Sequence, residues 1–351
     1  MKSLCIGAFF VVVCLGVILD LGILSKKNKS ENTIKIALRR SLLWFVSGLS
    51  FAVCIFYFYA DFRAIHTLDA LQNYANRYHL AVGSFQSLET GLNTFAKTSA
   101  LNYLSGYLIE YALSIDNLFV MLLIFKSFKV NLENQKRILL FGIIGAIVLR
   151  FLFIYLGSEV VHRFHWVMYI FACILIYSGC KMGFSSNSES IDPSNNFIAR
   201  FARKCLPFAA DSPAETRFYF RVEGKLVFSS LFLVLLIVEL TDLVFAIDSV
   251  PAILSISTDP YIVFSSNIFA ILGLRSLYFI LGAGIDRFYA LKGGLSLILV
   301  YIGLKIVFEE YAKEYGFTAF HNLILIIGIL GLSIAWSLIL PKPIKDPKIE
   351  K

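Results

Sequence analysis

Five carboxylates sit where a carboxylate is expensive. Glu110, Asp116, Glu239, Asp242 and Asp248 lie within two long apolar stretches, beside Asn117 and Ser249. On an insertion scale each acid at the centre of a membrane helix costs ~2.5 to 3.5 kcal/mol, so five cost on the order of 12 to 17 kcal/mol before compensation. Two arginines in adjoining apolar stretches, Arg150 and Arg275, can balance two of the five, leaving an excess of three negative charges if all are ionised. Bound cations or protons are the natural remainder. The ligands on offer are oxygens alone: carboxylates, the Asn117 amide, the Ser249 hydroxyl and backbone carbonyls, with no His in these stretches and no Cys near the acids. Such a set suits Mg²⁺, Ca²⁺ or Mn²⁺ and disfavours Zn²⁺ or Cu⁺, while a Na⁺ or proton pathway stays open.

Helical spacing limits how these groups can meet. Glu239 and Asp242 are three residues apart and share a face. Glu110 and Asp116, like Asp242 and Asp248, are separated by six steps of 100°, which leaves them ~120° apart and ~9 Å along the axis. Pro251 lacks an N–H and frees the Ile247 carbonyl, so a helix break at Asp248 is expected, and a broken helix could turn both acids toward one ion. A purely structural reading instead pairs Asp116 with Arg275 and Asp248 with Arg150 as permanent salt bridges, but it leaves three acids without partners. Asn267 is equally suited to bridging helices and to binding an ion.

The elements that position these residues follow from composition. Of 351 residues, 58% are hydrophobic and only 16% charged, with a mean hydropathy of +0.75. That is too little charge to cover a soluble globule, for which about 25% is usual. The chain is therefore read as all-α, a polytopic membrane helical bundle. A hydrocarbon core of ~30 Å needs ~20 apolar residues per span, and nine runs are predicted at about 3 to 24, 41 to 60, 101 to 125, 138 to 157, 164 to 182, 226 to 252, 261 to 283, 293 to 308 and 322 to 340. The first is read as a retained helix, because it is long, carries Asp20 and precedes Lys26, Lys27 and Lys29. Six cysteines with no Cys-x-x-Cys pair suggest neither a disulfide framework nor a thiolate metal site.

Charge then sets orientation. Alternating the loops across nine spans places 23 of the 32 Lys and Arg on one side and six on the other. Because cytoplasmic loops collect basic residues, the N-terminus is expected outside and the C-terminus in the cytoplasm. The same rule explains the formal +8 charge without invoking nucleic acid. The expected organisation is two N-terminal spans in 1–60, an external polar insertion in 61–98, spans three to five in 99–182, a cytoplasmic loop in 183–225, spans six to eight in 226–308, and a final span with a cytoplasmic tail in 309–351. Within the insertion, Ile65, Leu68, Leu71, Ala75 and Tyr78 recur near helical spacing, as in a surface-lying amphipathic helix. The loop, with Pro193, Pro207 and Pro213, is expected to form an ordered loop or short helices.

Three segments repeat in order. Glu110-Tyr-Ala-Leu-Ser-Ile-Asp116-Asn117 matches Asp242-Leu-Val-Phe-Ala-Ile-Asp248-Ser249 at an offset of 132. Leu149-Arg150 through Gly157 matches Leu274-Arg275 through Gly282 at 125, and Tyr177 through Lys181 matches Tyr301 through Lys305 at 124. Each copy holds three spans, so the second enters the membrane from the opposite side. This 3+3 inverted repeat is an architecture common among secondary transporters.

Tyr107 through Val120, Val238 through Ala252 and Ser265 through Phe279 resemble motifs of the TerC family, in its Alx-like branch, over about residues 100 to 308. The resemblance implies a multi-pass protein of the bacterial inner membrane that transports a divalent metal ion as its substrate. Mn²⁺ efflux is its leading activity, and tellurium resistance an older association. It implies metal-handling positions at Glu110, Asp116, Asn117, Glu239, Asp242, Asp248 and Ser249, with Arg150 and Arg275 balancing charge, and no catalytic residue or resident cofactor. Tyr111-Ala112 departs from the family's Lys-Ser. The alternatives are a proton- or Na⁺-coupled antiporter of another cation and a membrane scaffold in metal or tellurite stress response. An intramembrane aspartyl protease is disfavoured, because Gly282-Ala-Gly-Ile-Asp286 has one residue too many for Gly-x-Gly-Asp.

Overall fold

The computed structural model describes residues 33–78, 80, 87–164, 166–184, 217–222, 225–281, 290–308, 311 and 314–340. Its helices are α1 (Thr33–Phe62), α2 (Leu68–Arg77), α3 (Leu88–Ser127), α4 (Leu132–Arg163), α5 (Val167–Phe184), α6 (Ser230–Leu254), α7 (Pro260–Leu281), α8 (Leu291–Val307) and α9 (Ala319–Ile339). Strands β1 (Tyr219–Val222) and β2 (Lys225–Phe228) pair antiparallel between α5 and α6. Seven helices, α1, α3 to α7 and α9, are long and apolar enough to cross a membrane. The 17-residue α8 reaches ~25 Å and packs along α5. These helices occupy the second to ninth expected spans. The first, 3 to 24, lies outside the described residues, as do residues 185–216 of the loop and 341–351 of the tail. On α4, Phe141, Ile144, Val148, Phe151, Leu152 and Tyr155 are exposed, which a bundle in water would avoid and one in lipid requires.

Two expectations need correction. The insertion ends at Ser87, not at residue 98, because α3 begins at Leu88 and runs for 40 residues, ~60 Å and twice the hydrocarbon thickness. Its first turns are polar, so apolarity could not mark them; the Ser87 side chain caps them by accepting the Thr90 N–H at 3.4 Å. Where the loop is described before α6 it is ordered as a hairpin, closed by the Ser229 N–H on the Phe218 carbonyl at 3.0 Å. Finally, α6 does not break at Asp248. Pro251 removes one bond near the helix end, but Val250, Ala252 and Ile253 are buried around it, and the Ser255 N–H bonds the Pro251 carbonyl at 3.0 Å. Packing on both sides of the proline outweighs the missing bond.

The amphipathic α2 exists, but its apolar face covers protein rather than lipid: Ile65, Leu71 and Ala75 are buried, and Tyr74 meets Phe95 of α3 edge to face. A latch holds it there. Asp259, just before α7, receives Arg63 Nη2 at 2.6 Å, the Tyr74 hydroxyl at 2.5 Å and the Tyr59 hydroxyl. The guanidinium lies 5.3 to 6.0 Å from the ring centroids of Tyr59, Phe62, Tyr74, Tyr78 and Tyr261, within cation–π range. Burial, then the adjacent Asp259, pushes the Tyr74 hydroxyl well above the usual tyrosine range.

The central helices pack reciprocally. α3 packs on α7 and α4 on α6, while α3 meets α6, α4 meets α7 and α5 meets α8. Exchanging α3, α4 and α5 for α6, α7 and α8 returns the same set of pairs. The α5–α8 contact shows it at atomic scale: a Cβ on Gly179 would lie 2.9 Å from the Ser296 carbonyl and 3.0 Å from the Val300 nitrogen, and one on Gly303 would lie 2.9 Å from the Ala172 carbonyl and 3.2 Å from the Ile176 nitrogen. Gly179 and Gly303 are 124 apart, as are Ala172 and Ser296, and Ile176 and Val300. The two helices are thus antiparallel, joined backbone to backbone where glycine alone permits it.

Candidate metal-ion site

Four helices bring polar groups to the centre of this frame. α3 supplies Glu110, α4 Arg150, α6 Glu239 and Asp242, and α7 Asn267. Arg150 is 1% exposed and Glu110 is fully buried. Arg150 Nη1 donates to Glu110 Oε1 and, at 2.7 Å, to Asn267 Oδ1. Its Nη2 stands 3.7 Å from Asp242 Oδ1, an ion pair too long to be a hydrogen bond. The Ser114 hydroxyl donates to Glu110 Oε1 at 3.1 Å. Asn267 gives its own amide N–H to the Val263 carbonyl at 2.9 Å, which turns its oxygen toward the guanidinium. It bridges helices, the first of its two expected roles.

The same groups are conspicuously underbonded. Glu110 Oε2, Glu239 Oε2 and Asp242 Oδ2 are buried with no hydrogen-bond partner among the described residues, as are Arg150 Nε and Nη2. Buried charged oxygens rarely go unpaired, because each forfeits its hydration without return. Glu239 and Asp242 also line a cavity of about 30 Å³ between α3, α4, α6 and α7, walled by Leu118, Met121, Leu139 and Gly142. That is room for about two waters or one largely dehydrated ion. Gly145 admits Glu239 to this place: a methyl group there would overlap its carboxyl group, whereas one at Gly142 would stand 3.7 Å away.

The remaining expected ligands are placed differently. Asp248 accepts the Ser178 hydroxyl of α5 at 2.7 Å, and Arg150 pairs with Glu110 and Asp242, so the Asp248–Arg150 salt bridge of the purely structural reading is not formed. Ser249 is buried with an unpartnered hydroxyl, and Asn117 is 4% exposed. The side chains of Asp116 and Arg275 fall outside what the structure describes. Among the described residues no group of three His, Cys, Asp or Glu is gathered tightly enough to hold a metal ion. The seven expected positions therefore do not form one described site. Glu110 and Asp242 flank Arg150, Glu239 shares a cavity with Asp242, and Asp248 has a separate partner in Ser178. Sequence reasoning missed Gly145, whose signal was the small pair Gly142 and Gly145 on one apolar run.

Comparison with known proteins bears on this arrangement. The model of the integral membrane protein TerC family matches residues 95–344. The putative membrane-bound redox modulator Alx of Escherichia coli (strain K12) is 36% identical over 94% of each chain. An uncharacterized membrane protein of Rickettsia felis is 37% identical over 94% of this chain and 96% of its own, and one of Myxococcus xanthus 40% identical over 70% and 75%. No solved structure matches the chain.

Proposed function

Since this chain belongs to the TerC family of integral membrane proteins, we propose that the carboxylates around Arg150 carry a divalent metal ion, Mn²⁺ foremost, across the bacterial inner membrane and out of the cell. One observation supports this above the others: Glu110, Glu239 and Asp242 each keep a buried oxygen without a partner among the described residues, and two of them border a cavity. Three carboxylates against one described guanidinium give a formal charge of −2, which one divalent cation balances. An all-oxygen set matches a hard cation. The cavity lies toward the end of the bundle where α3 stops and α4 starts, the end bearing Lys126, Lys129, Lys136 and Arg137, and so the cytoplasmic one by the charge rule. An ion entering there meets Glu239 and Asp242 first. Proton- or Na⁺-coupled antiport is the variant the same carboxylates support, because an acid that has released its metal can take another cation.

The test is Mn²⁺ accumulation in cells expressing the parent, Asp242→Asn or Glu239→Gln at equal membrane abundance. Both variants are expected to retain Mn²⁺ like cells lacking the protein. Variants that lower cellular Mn²⁺ as well as the parent reject the site and favour the scaffold reading. Flux into vesicles with and without a pH gradient then separates proton coupling from simple efflux.

A further inference from the structure

The small cavity beside Glu239 and Asp242 is closed toward the end where α3 stops and α4 starts. Each of the four helices that wall it places one residue a single turn beyond the wall, four positions or ~6 Å nearer that end. On α3 Phe125 follows Met121, and on α7 Tyr278 follows Leu274; on α4 Gln135 precedes Leu139, and on α6 Val234 precedes Val238. The four form one layer. The Tyr278 hydroxyl donates to Gln135 Oε1 at 3.0 Å, tying α7 to α4. Gln135 Nε2 in turn donates to the Val130 carbonyl at 2.8 Å, in the turn between α3 and α4. The Phe125 ring stands edge-on to the Tyr278 ring, with centroids 5.7 Å apart. Phe125, Val234 and Tyr278 are at most 3% exposed and share one apolar cluster with Leu139 and Leu274.

This layer contrasts with what bounds the cavity on its other side. One turn the opposite way on α3, α4 and α7 stand Ser114, Arg150 and Asn267, members of the charged cluster. The cavity thus has ionic groups on one side and an uncharged layer on the other. A divalent cation does not cross that layer while it is closed, because the layer offers too few oxygens to replace the ion's hydration shell. What holds it shut is light, one neutral hydrogen bond and one ring contact, and none of the four residues carries charge.

The other end of the bundle is built differently at related positions. At the repeat offset of 132, Phe125 corresponds to Ser257 and Val234 to Asn102, and both of these line a cavity of about 300 Å³. Aromatic and aliphatic side chains close one end, where a hydroxyl and an amide leave the other hollow.

We propose that Phe125, Gln135, Val234 and Tyr278 form the gate through which a divalent cation reaches Glu239 and Asp242 from the cytoplasm, with the Tyr278–Gln135 hydrogen bond as its clasp. The inference rests on the metal-transport reading above. A seal at one end and a hollow at the other is one state of an alternating-access cycle, and the inverted repeat supplies the exchange. Tyr278 and Gln135 are positioning residues in this scheme: they act by admitting the ion.

The gate is tested by sided labelling, which needs no transport. In the full-length chain with its six cysteines replaced by Ser, Met121→Cys places a thiol in the cavity wall. A membrane-impermeant cationic methanethiosulfonate is applied to inside-out and to right-side-out vesicles, and the labelling rate is followed by mass spectrometry. Without a further change the thiol is expected to react slowly from the cytoplasmic face. Adding Tyr278→Ala should speed that reaction at least tenfold. Tyr278→Phe, which keeps the ring and loses only the hydroxyl, should speed it severalfold, the worth of one neutral hydrogen bond, and Gln135→Leu should match it. The rate from the outer face should not change, which separates an opened gate from a loosened fold. The gate is overturned if neither Tyr278 variant outpaces the parent, if both faces accelerate alike, or if the outer face alone does. The metal reading fails on a different measurement, Mn²⁺ efflux by Asp242→Asn, so the two can fall separately.

Discussion

Replacing Arg150 with Met tests the electrostatic core most directly, since Met keeps much of the stem volume and deletes the charge. Arg150 is 1% exposed and touches Glu110, Asn267 and Asp242 at once. Its loss would leave Glu110 and Asp242, both buried, facing a vacated site with no described cation near them. Breaking a buried pair by removing one partner costs ~3 to 5 kcal/mol. For a chain of 351 residues each kcal/mol corresponds to roughly 1 to 2 °C, so the unfolding midpoint should fall by about 4 to 7 °C. The same arithmetic predicts a rescue. Adding Glu110→Gln removes the charge that Arg150 contacts most closely while keeping an oxygen for the Ser114 hydroxyl, so the double variant should recover at least half the loss. A double-mutant cycle on purified protein, with the midpoint followed by tryptophan fluorescence or circular dichroism, supplies the coupling directly. Parental stability in Arg150→Met, or strictly additive effects, would refute the claim that these charges form one unit.

Gly145→Ala should displace the Glu239 carboxyl group and reduce Mn²⁺ efflux severalfold, with membrane abundance nearly unchanged on immunoblots of washed membranes. Arg63→Ala removes the cation from the buried Asp259 carboxylate, which also accepts from two tyrosine hydroxyls and the Tyr261 N–H; it should lower stability by ~3 kcal/mol and expose α2 to limited proteolysis, and intact α2 under protease would contradict the latch. Asp248→Asn keeps an acceptor for Ser178 and removes a charge apart from the cluster, so it should leave stability within ~1 kcal/mol of the parent while reporting, through Mn²⁺ flux, whether that acid also serves the ion.

How much of this was readable in advance depended on which force set each feature. The apolar runs marked α1 and α3 to α9 because lipid demands continuous apolarity, and the acids within them marked the candidate site because charge at that depth is costly. The first turns of α3 were invisible for the opposite reason: outside the apolar zone a helix can be polar on every face, and only the Ser87 cap announced it. Pro251 misled because local chemistry predicts a lost hydrogen bond, whereas Val250, Ala252 and Ile253, buried around it, carry the helix through. The pairing of Arg150 with Glu110 rather than Asp248 was not legible either. It depends on how α4 slides against α3 and α6, and a single-helix wheel contains no such register.

The repeat also clarifies why the site is lopsided. At the offset that relates α3 to α6, Glu110 corresponds to Asp242, and both point at Arg150. Glu239, by the same offset, corresponds to Tyr107. That tyrosine is fully buried, stacks on Tyr103 at 6.2 Å and donates to the Phe45 carbonyl at 3.3 Å, filling the space between α3 and α1. On α4, Gly145 makes room for the Glu239 carboxyl group, whereas its counterpart on α7 is Ala270. The exchange-related positions thus agree where charge is shared and differ where the site meets its surroundings. An acid with a cavity stands on one side, and an aromatic plug without one stands on the other. A reciprocal frame alone would present the same groups toward both ends; under the function proposed above, these two differences are what let an ion reach the carboxylates from the end where α3 meets α4.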